Sequence, residues 1–268
     1  MTKPVKTAFP YTGGKNKLLS VLLRHVPAHE VYVEPFAGGL ALLRGKTRAK
    51  CEVVNDISRD LITFYRYVRH HNEALRRELT TFLQSRADFE DMKASVPQTD
   101  LQRAVRWYFL QVASFGGKGQ HFGRSRTDFH GFDVRRHLQL IAQLKHRLDG
   151  VYIECLDWEK VVEFNDGPKT FMFFDPPYLG CADTAYAAGT EFDLQRLRNR
   201  IVKLKARWML TINDSPQTRA IFEGLPFQPL SIRYSLGSRM VKQAKTSGEL
   251  LIFSPHLATA GAAELLAA

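Results

Sequence analysis

Two rhythms of hydrophobic positions run along the chain. Short continuous apolar runs bounded by glycine or acidic residues mark buried strands, and apolar residues three and four apart mark amphipathic helices. A Gly-Gly loop leads into a short amphipathic helix around Leu18 to His25, and Val31 to Phe36 is the first strand-like run. That run ends at Gly38 and Gly39, Leu40 to Arg44 starts a helix, and Glu52 to Asn55 is a second run stopping at Asp56. Strand, glycine turn, helix and strand in this order make a βαβ unit. Residues 59–112 keep helical spacing, with Leu61, Phe64, Tyr65 and Val68 on one face and Trp107, Tyr108 and Leu110 in a later stretch. Ser114 to Asp133 breaks the pattern with glycine, basic and aromatic residues and is expected to form a mobile loop or hairpin. A helix follows over Val134 to Leu148.

From Val151 the strand–helix alternation resumes. Strands are predicted at Val151–Cys155, Thr170–Phe174, Trp208–Ile212 and Leu250–Phe253, and helices at Leu194–Lys205 and Gln217–Phe222. The alanine-rich end, Ala258 to Ala268, is expected to fray. The pattern predicts an α/β fold in which 1–58 and 150–268 contribute to one sheet, interrupted by a mainly helical insert over 59–149. A length of 268 residues suits one α/β domain carrying such an insert.

Charge sharpens this picture. Thirty-eight Lys and Arg oppose 27 Asp and Glu, a formal net charge of +11. A surplus of this size favours a polyanionic partner, and a basic but uninvolved surface is the alternative. The surplus concentrates in residues 101–150 and 195–245, the candidate phosphate-contacting stretches. The three cysteines, Cys51, Cys155 and Cys181, form no CxxC pair, so neither a structural zinc site nor a disulfide framework is expected, which fits a reducing cytosol. No apolar run reaches the ~18 residues that would span a bilayer, and the first nine residues lack the apolar core of a signal peptide.

Candidate chemistry lies at the ends of the predicted strands. Small residues after a buried strand, as at Gly38 and Gly39, let a ligand approach the backbone closely. Asp56 ends the next strand and is placed to accept hydrogen bonds from ribose hydroxyls; a tight turn with a solvated strand-end carboxylate is the alternative. Tyr11-Thr12-Gly13-Gly14-Lys15 lacks P-loop spacing, though its lysine suits a carboxylate or phosphate. Asp175-Pro176-Pro177-Tyr178 follows the apolar strand Thr170–Phe174. Its prolines stiffen the chain and remove two N–H donors. A fixed carboxylate beside a fixed carbonyl can then accept both hydrogens of one amino group, while Tyr178 offers a face for stacking a base. An exocyclic base amine, whose lone pair is delocalised into the ring, needs this localisation before it attacks a methyl group. The base must also leave the duplex, at a cost of a few kcal/mol.

Together these segments resemble the Dam-type, alpha-order DNA adenine-N6 methyltransferases: YTGGK at 11–15, VEPFAGG at 33–39, VVNDIS at 53–58, DPPY at 175–178 and LTINDS at 210–215 stand in that order. The resemblance extends to about Pro255. It implies a Rossmann-like methyltransferase sheet with S-adenosylmethionine as cofactor, double-stranded DNA as partner, and the 59–149 insert as target-recognition domain. By position it implies that Tyr11 packs near the cofactor and that Lys15 lies by the cofactor's carboxylate or by DNA. Glu34, Pro35, Phe36, Ala37 and Gly38 would shape the methionine pocket, Asp56 would bind ribose, and Asp157 with Trp158 would sit near the cofactor's adenine. Asp175, Pro176, Pro177 and Tyr178 would hold the target base, with Asp175 also bordering the cofactor. DNA contacts are expected from Lys118, His121, Arg124 and Arg126 in the insert and from Arg239 before the final strand. Arg124 and Arg126 suit either phosphate or guanine edges, and Phe115 and Phe122 either wedge at the flipped site or anchor their loop. No metal, no membrane and a monomer are expected, in the cytosol of a bacterium or phage-infected cell.

Three departures from the family pattern separate the chemistry from GATC recognition. Pro10 stands where a basic residue is usual, the loop over 114–126 is short, and the second motif has GG rather than GxG. The same chemistry on RNA, or a non-catalytic DNA-binding protein, are the competing readings.

Overall fold

Among the described residues of a computed structural model, seven strands form one sheet. The structure describes residues 6–11, 13–82, 85–123, 133–178, 192–233 and 246–257. The strands are β1 (Val31–Glu34), β2 (Cys51–Asn55), β3 (Tyr152–Glu154), β4 (Thr170–Phe174), β5 (Arg207–Asn213), β6 (Phe227–Arg233) and β7 (Thr246–Phe253). Their order is β3-β2-β1-β4-β5-β7-β6. β1 pairs in parallel with β2 and β4, as do β2 with β3 and β4 with β5, whereas β7 runs antiparallel to both β5 and β6. Strands from both sides of the helical stretch thus enter a single mixed, doubly wound sheet of the Rossmann-like kind. The order reverses between β1 and β4, and the crevice beyond the carboxyl ends of strands at such a reversal is where open α/β sheets bind ligands. β1 runs into the glycine turn and β4 into Asp175.

The sheet's two faces are covered separately. Residues alternate between faces along each strand, so Phe171 and Phe173 of β4 enter one core while Met172 and Phe174 enter the other. The first core is closed by α1 (Leu19–Arg24), α2 (Ala41–Gly45), α3 (Arg59–His70), α4 (Asn72–Leu79), α6 (Asp100–Ala113) and α7 (Val134–Leu148). The second is closed by α8 (Trp158–Asn165), α9 (Leu194–Ile201) and α10 (Pro216–Ile221). The helical stretch therefore shares its core with the sheet through Leu61, Phe64, Tyr65, Tyr108, Ile141 and Leu148. α5 (Arg86–Ala94) packs on the far side of α6 around Phe89, Phe109 and Leu110, a small cluster of its own.

A buried ion-pair group joins α7 to β2. Arg147 donates to both carboxylate oxygens of Glu52 at 2.6 and 2.9 Å, and Lys46 donates to Glu52 Oε1 at 2.7 Å. Each lone pair taken up in this way offsets the desolvation of a charge. Lys46 also lies 4.2 Å from the centre of the Tyr32 ring, and Arg147 Nε donates to the Leu43 carbonyl.

Four elements differ from the sequence pattern, among them β7, which begins at Thr246 rather than Leu250. β6 carries Pro229, which marks a segment against central strands; β6 lies at the sheet edge, where a missing N–H is tolerated. α8 is an eight-residue helix that the strand-end motifs around Asp157 obscured. α9 ends at Ile201 rather than Lys205, because the N–H groups of Lys205 and Ala206 turn to Asp166 Oδ1, both at 2.9 Å. The alanine-rich end lies outside the described residues.

Candidate active site

The glycine turn after β1 is built under constraint. Gly38 has φ +42° and the buried Leu40 has φ +54°, a left-handed conformation that costs an ordinary L-residue about 1–2 kcal/mol. A Cβ on Gly38 would lie 2.9 Å from Tyr11 Cε1, so Tyr11 covers the turn and only glycine fits beneath it. The turn is tied down from three sides. Gly38 N–H donates to Asp56 Oδ2 at 3.0 Å, Tyr65 Oη donates to the Gly38 carbonyl, and Ala37 N–H donates to the Asn55 carbonyl at 2.7 Å.

Asp56 is buried at the end of β2 and also accepts from Ser58 N–H at 2.9 Å. Burial raises its carboxyl above the ordinary range, and the two N–H donors oppose that rise. Asn55 beside it donates to the Pro35 and Leu156 carbonyls at 3.0 and 3.1 Å and accepts from Leu156 N–H at 2.8 Å. One side chain thereby clamps the ends of β1 and β2 and the segment after β3. Glu34 accepts from Tyr32 Oη at 2.6 Å and Leu43 N–H at 2.7 Å, both on Oε1. Burial pushes its carboxyl up to about 7. These contacts tie Glu34 to α2. Phe36 lies in the second core with Trp158, Phe174 and Phe192.

At the carboxyl end of β4 the Asp175 carboxylate meets Lys15. Lys15 Nζ is 2.8 Å from Asp175 Oδ1, donates to the Gly13 carbonyl at 2.7 Å, and lies 4.8 Å from the centre of the Tyr178 ring. The Lys15 side chain is 2% exposed and that of Asp175 23%. The cation is therefore sealed behind a carboxylate that is itself still partly exposed. Thr211 of β5 donates to the same Oδ1 at 2.8 Å. Lys15, Asp175 and Tyr178 form one contact group, and Gly38, Tyr11 and Asp56 another, at the two strand ends that flank the reversal of strand order.

The remaining candidates lie further out. Asp157 caps α8, accepting from Glu159 N–H at 2.9 Å, and its carboxylate, half exposed, faces the Arg196 guanidinium at 3.6 Å. Trp158 is buried, with the Arg196 guanidinium 5.6 Å from its ring centre, so of this pair only the carboxylate is open to a ligand. A shallow cavity of about 380 Å³ between α8 and α9 takes in Asp157 and Arg196 but no residue of the Asp175 group. Lys118 and His121 are exposed on the loop after α6. That loop closes through a Ser114–Phe122 bridge and a Phe115 N–H to His121 carbonyl bond of 2.8 Å. A Cβ on Gly117 would fall 2.7 Å from the Pro10 carbonyl, so the loop backs directly onto the residue before Tyr11. Phe122 anchors against Phe89 with Arg86 over its ring, whereas Phe115 is 72% exposed. Arg124, Arg126 and Arg239 lie outside the described residues.

Sequence reasoning gave no role to Thr211 or Asn55, although both stand inside quoted motifs. Their signal is a polar side chain in or at the end of an otherwise apolar strand. Among the described residues no group of three or more His, Cys, Asp or Glu could hold a metal ion, and no helix is long and apolar enough to cross a membrane.

Comparison with known proteins places this geometry in context. A family model described as D12 class N6 adenine-specific DNA methyltransferase matches residues 11–234. The chain is 26% identical to the type II methyltransferase M.MjaIII of Methanocaldococcus jannaschii, over 88% of this chain and 93% of that one. It is 22% identical to the DNA adenine methylase of Salmonella typhi, over 93% and 95%. It is 24% identical to the DNA N-6-adenine-methyltransferase of Escherichia phage P1, over 87% of this chain and 33% of that longer protein.

Proposed function

Since the chain belongs to the D12 class of N6 adenine-specific DNA methyltransferases, we propose that it takes its methyl group from S-adenosylmethionine and delivers it to an adenine swung out of duplex DNA onto Asp175 and Tyr178. The observation that carries this reading is the Asp175 carboxylate. It stands at the strand-order reversal with Oδ1 occupied by Lys15 and Thr211, which leaves Oδ2 to accept from the target amine. The Pro176 carbonyl supplies the second acceptor, and the Tyr178 ring supplies a stacking face. Withdrawing both amine hydrogens toward fixed acceptors localises the nitrogen lone pair for attack.

The donor site fits a methionine-bearing nucleoside. The turn at Gly38 excludes a side chain and is roofed by Tyr11, and Asp56 beneath it is a buried acceptor at the ribose position. When bound, S-adenosylmethionine supplies a sulfonium-activated methyl group. Asp157 is the acceptor closest in kind to what the cofactor's adenine amine requires. DNA recognition is assigned to the 59–149 stretch, and within it to the loop carrying Phe115, Lys118 and His121.

The test is methylation by purified protein with labelled S-adenosylmethionine on duplex DNA and on RNA, followed by nucleoside analysis and single-molecule sequencing. Label in N6-methyladenine of DNA within one short sequence supports the proposal. Label only in RNA, or in N4-methylcytosine, overturns it.

A further inference from the structure

Asp175 can present a defined oxygen to the target only if its carboxylate cannot rotate. A carboxylate oxygen has two lone pairs, and on Oδ1 both are taken, by Lys15 Nζ and Thr211 Oγ1, each at 2.8 Å. Thr211 is fully buried in the middle of β5, a strand otherwise built of apolar residues at its centre. Its hydroxyl has one proton and two acceptors within reach, Asp175 Oδ1 at 2.8 Å and the Phe174 carbonyl at 3.4 Å. The shorter contact, to an ionised acceptor, wins. β5 pairs with β4 in register up to Phe174–Leu210, so the strand that carries Thr211 is hydrogen-bonded to the strand that leads directly into Asp175.

We infer that Thr211 is a positioning residue for the transfer step: its buried hydroxyl fixes the Asp175 carboxylate so that Oδ2 faces the target amine. The inference rests on the assignment of Asp175 as the acceptor for that amine. Lys15 alone does not supply the same constraint. A lysine ammonium on a flexible stem tolerates rotation of its partner carboxylate, whereas a hydroxyl on a β-branched side chain within a paired strand does not. Because Thr211 has no solvent exposure, water cannot replace a lost hydroxyl there.

The test is Thr211→Val, which keeps the β-branched shape in a strand, beside Thr211→Ser, which keeps the hydroxyl. The expected result for Thr211→Val is a kcat lower by about 10- to 100-fold, with the KM for DNA and the affinity for S-adenosylmethionine changed by less than about 2-fold. Thr211→Ser is expected to recover most of kcat, which a purely structural role, read as melting temperature, would not require. A kcat for Thr211→Val close to wild type overturns the inference, as does a loss confined to KM or shared equally by Thr211→Ser. Asp175→Ala, measured alongside, separates the two layers. If Asp175→Ala is itself active, the assignment of Asp175 fails; if it is inactive while Thr211→Val is normal, only the role of Thr211 fails.

Discussion

Gly38→Ala tests the donor site at its tightest point. The new methyl would stand 2.9 Å from Tyr11 Cε1 and 3.3 Å from Cδ1, on a residue with φ +42°. The backbone cost is about 1–2 kcal/mol, and forcing a ring off its packed position adds about 1–3 kcal/mol. Tyr11 can yield only by lifting from the turn it covers, which opens the face proposed to hold the methionine portion of the donor. The expected outcome is S-adenosylmethionine affinity lower by about 10- to 100-fold, together with a lower melting temperature, read by titration calorimetry and thermal unfolding. Combining it with Tyr11→Ala removes the clash but not the strain, so the double variant should lose less than the sum of the two single losses, by about 1–2 kcal/mol. Unchanged affinity in Gly38→Ala, or strictly additive losses, would refute the idea that Tyr11 roofs the donor site over this glycine.

Other expectations follow from the buried carboxylates. Asp56→Ala should weaken S-adenosylmethionine binding in the same titration while leaving DNA binding unchanged, and equal affinity would remove Asp56 from the donor site. Glu34 has a folded-state pKa of about 7 against an ordinary 4.5, so folding favours its protonated form. Between those values the unfolded chain releases the proton first, and stability falls as pH rises, by on the order of 3 kcal/mol in total. The melting temperature of Glu34→Gln relative to wild type should therefore climb from about pH 5 to about pH 7.5, and a flat difference would contradict that assignment. Glu52→Ala leaves Arg147 and Lys46 buried without their counter-charge, so the melting temperature should drop by about 10 °C; a change of a degree or two would show that water reaches both cations.

The parts of the fold with a simple period were legible in the chain. Thr170–Phe174 is five apolar or β-branched residues between turn formers, and Val134–Leu148 is a capped amphipathic helix; both stand where the pattern places them. β6 was hidden because Pro229 weighs against a strand until its edge position is known. α8 had Trp158, Val161 and Val162 at helical spacing behind an Asp157 cap, a signal overshadowed by the acidic-aromatic pair at its start. At the site, the glycine turn and Asp175 could be singled out because their chemistry is local to one segment. The partnership of Lys15 with Asp175 spans 160 residues of sequence, and that of Thr211 with Asp175 depends on how β4 and β5 pair. Contacts made by tertiary packing leave no periodic trace, so no spacing rule could have shown them.

The most direct measurement of the central claim compares wild type with Asp175→Ala on duplex DNA, with labelled S-adenosylmethionine and nucleoside analysis of the product. Wild type is expected to place label in N6-methyladenine, and the variant none above background. N6-methyladenine formed by Asp175→Ala at a rate near that of wild type would contradict it.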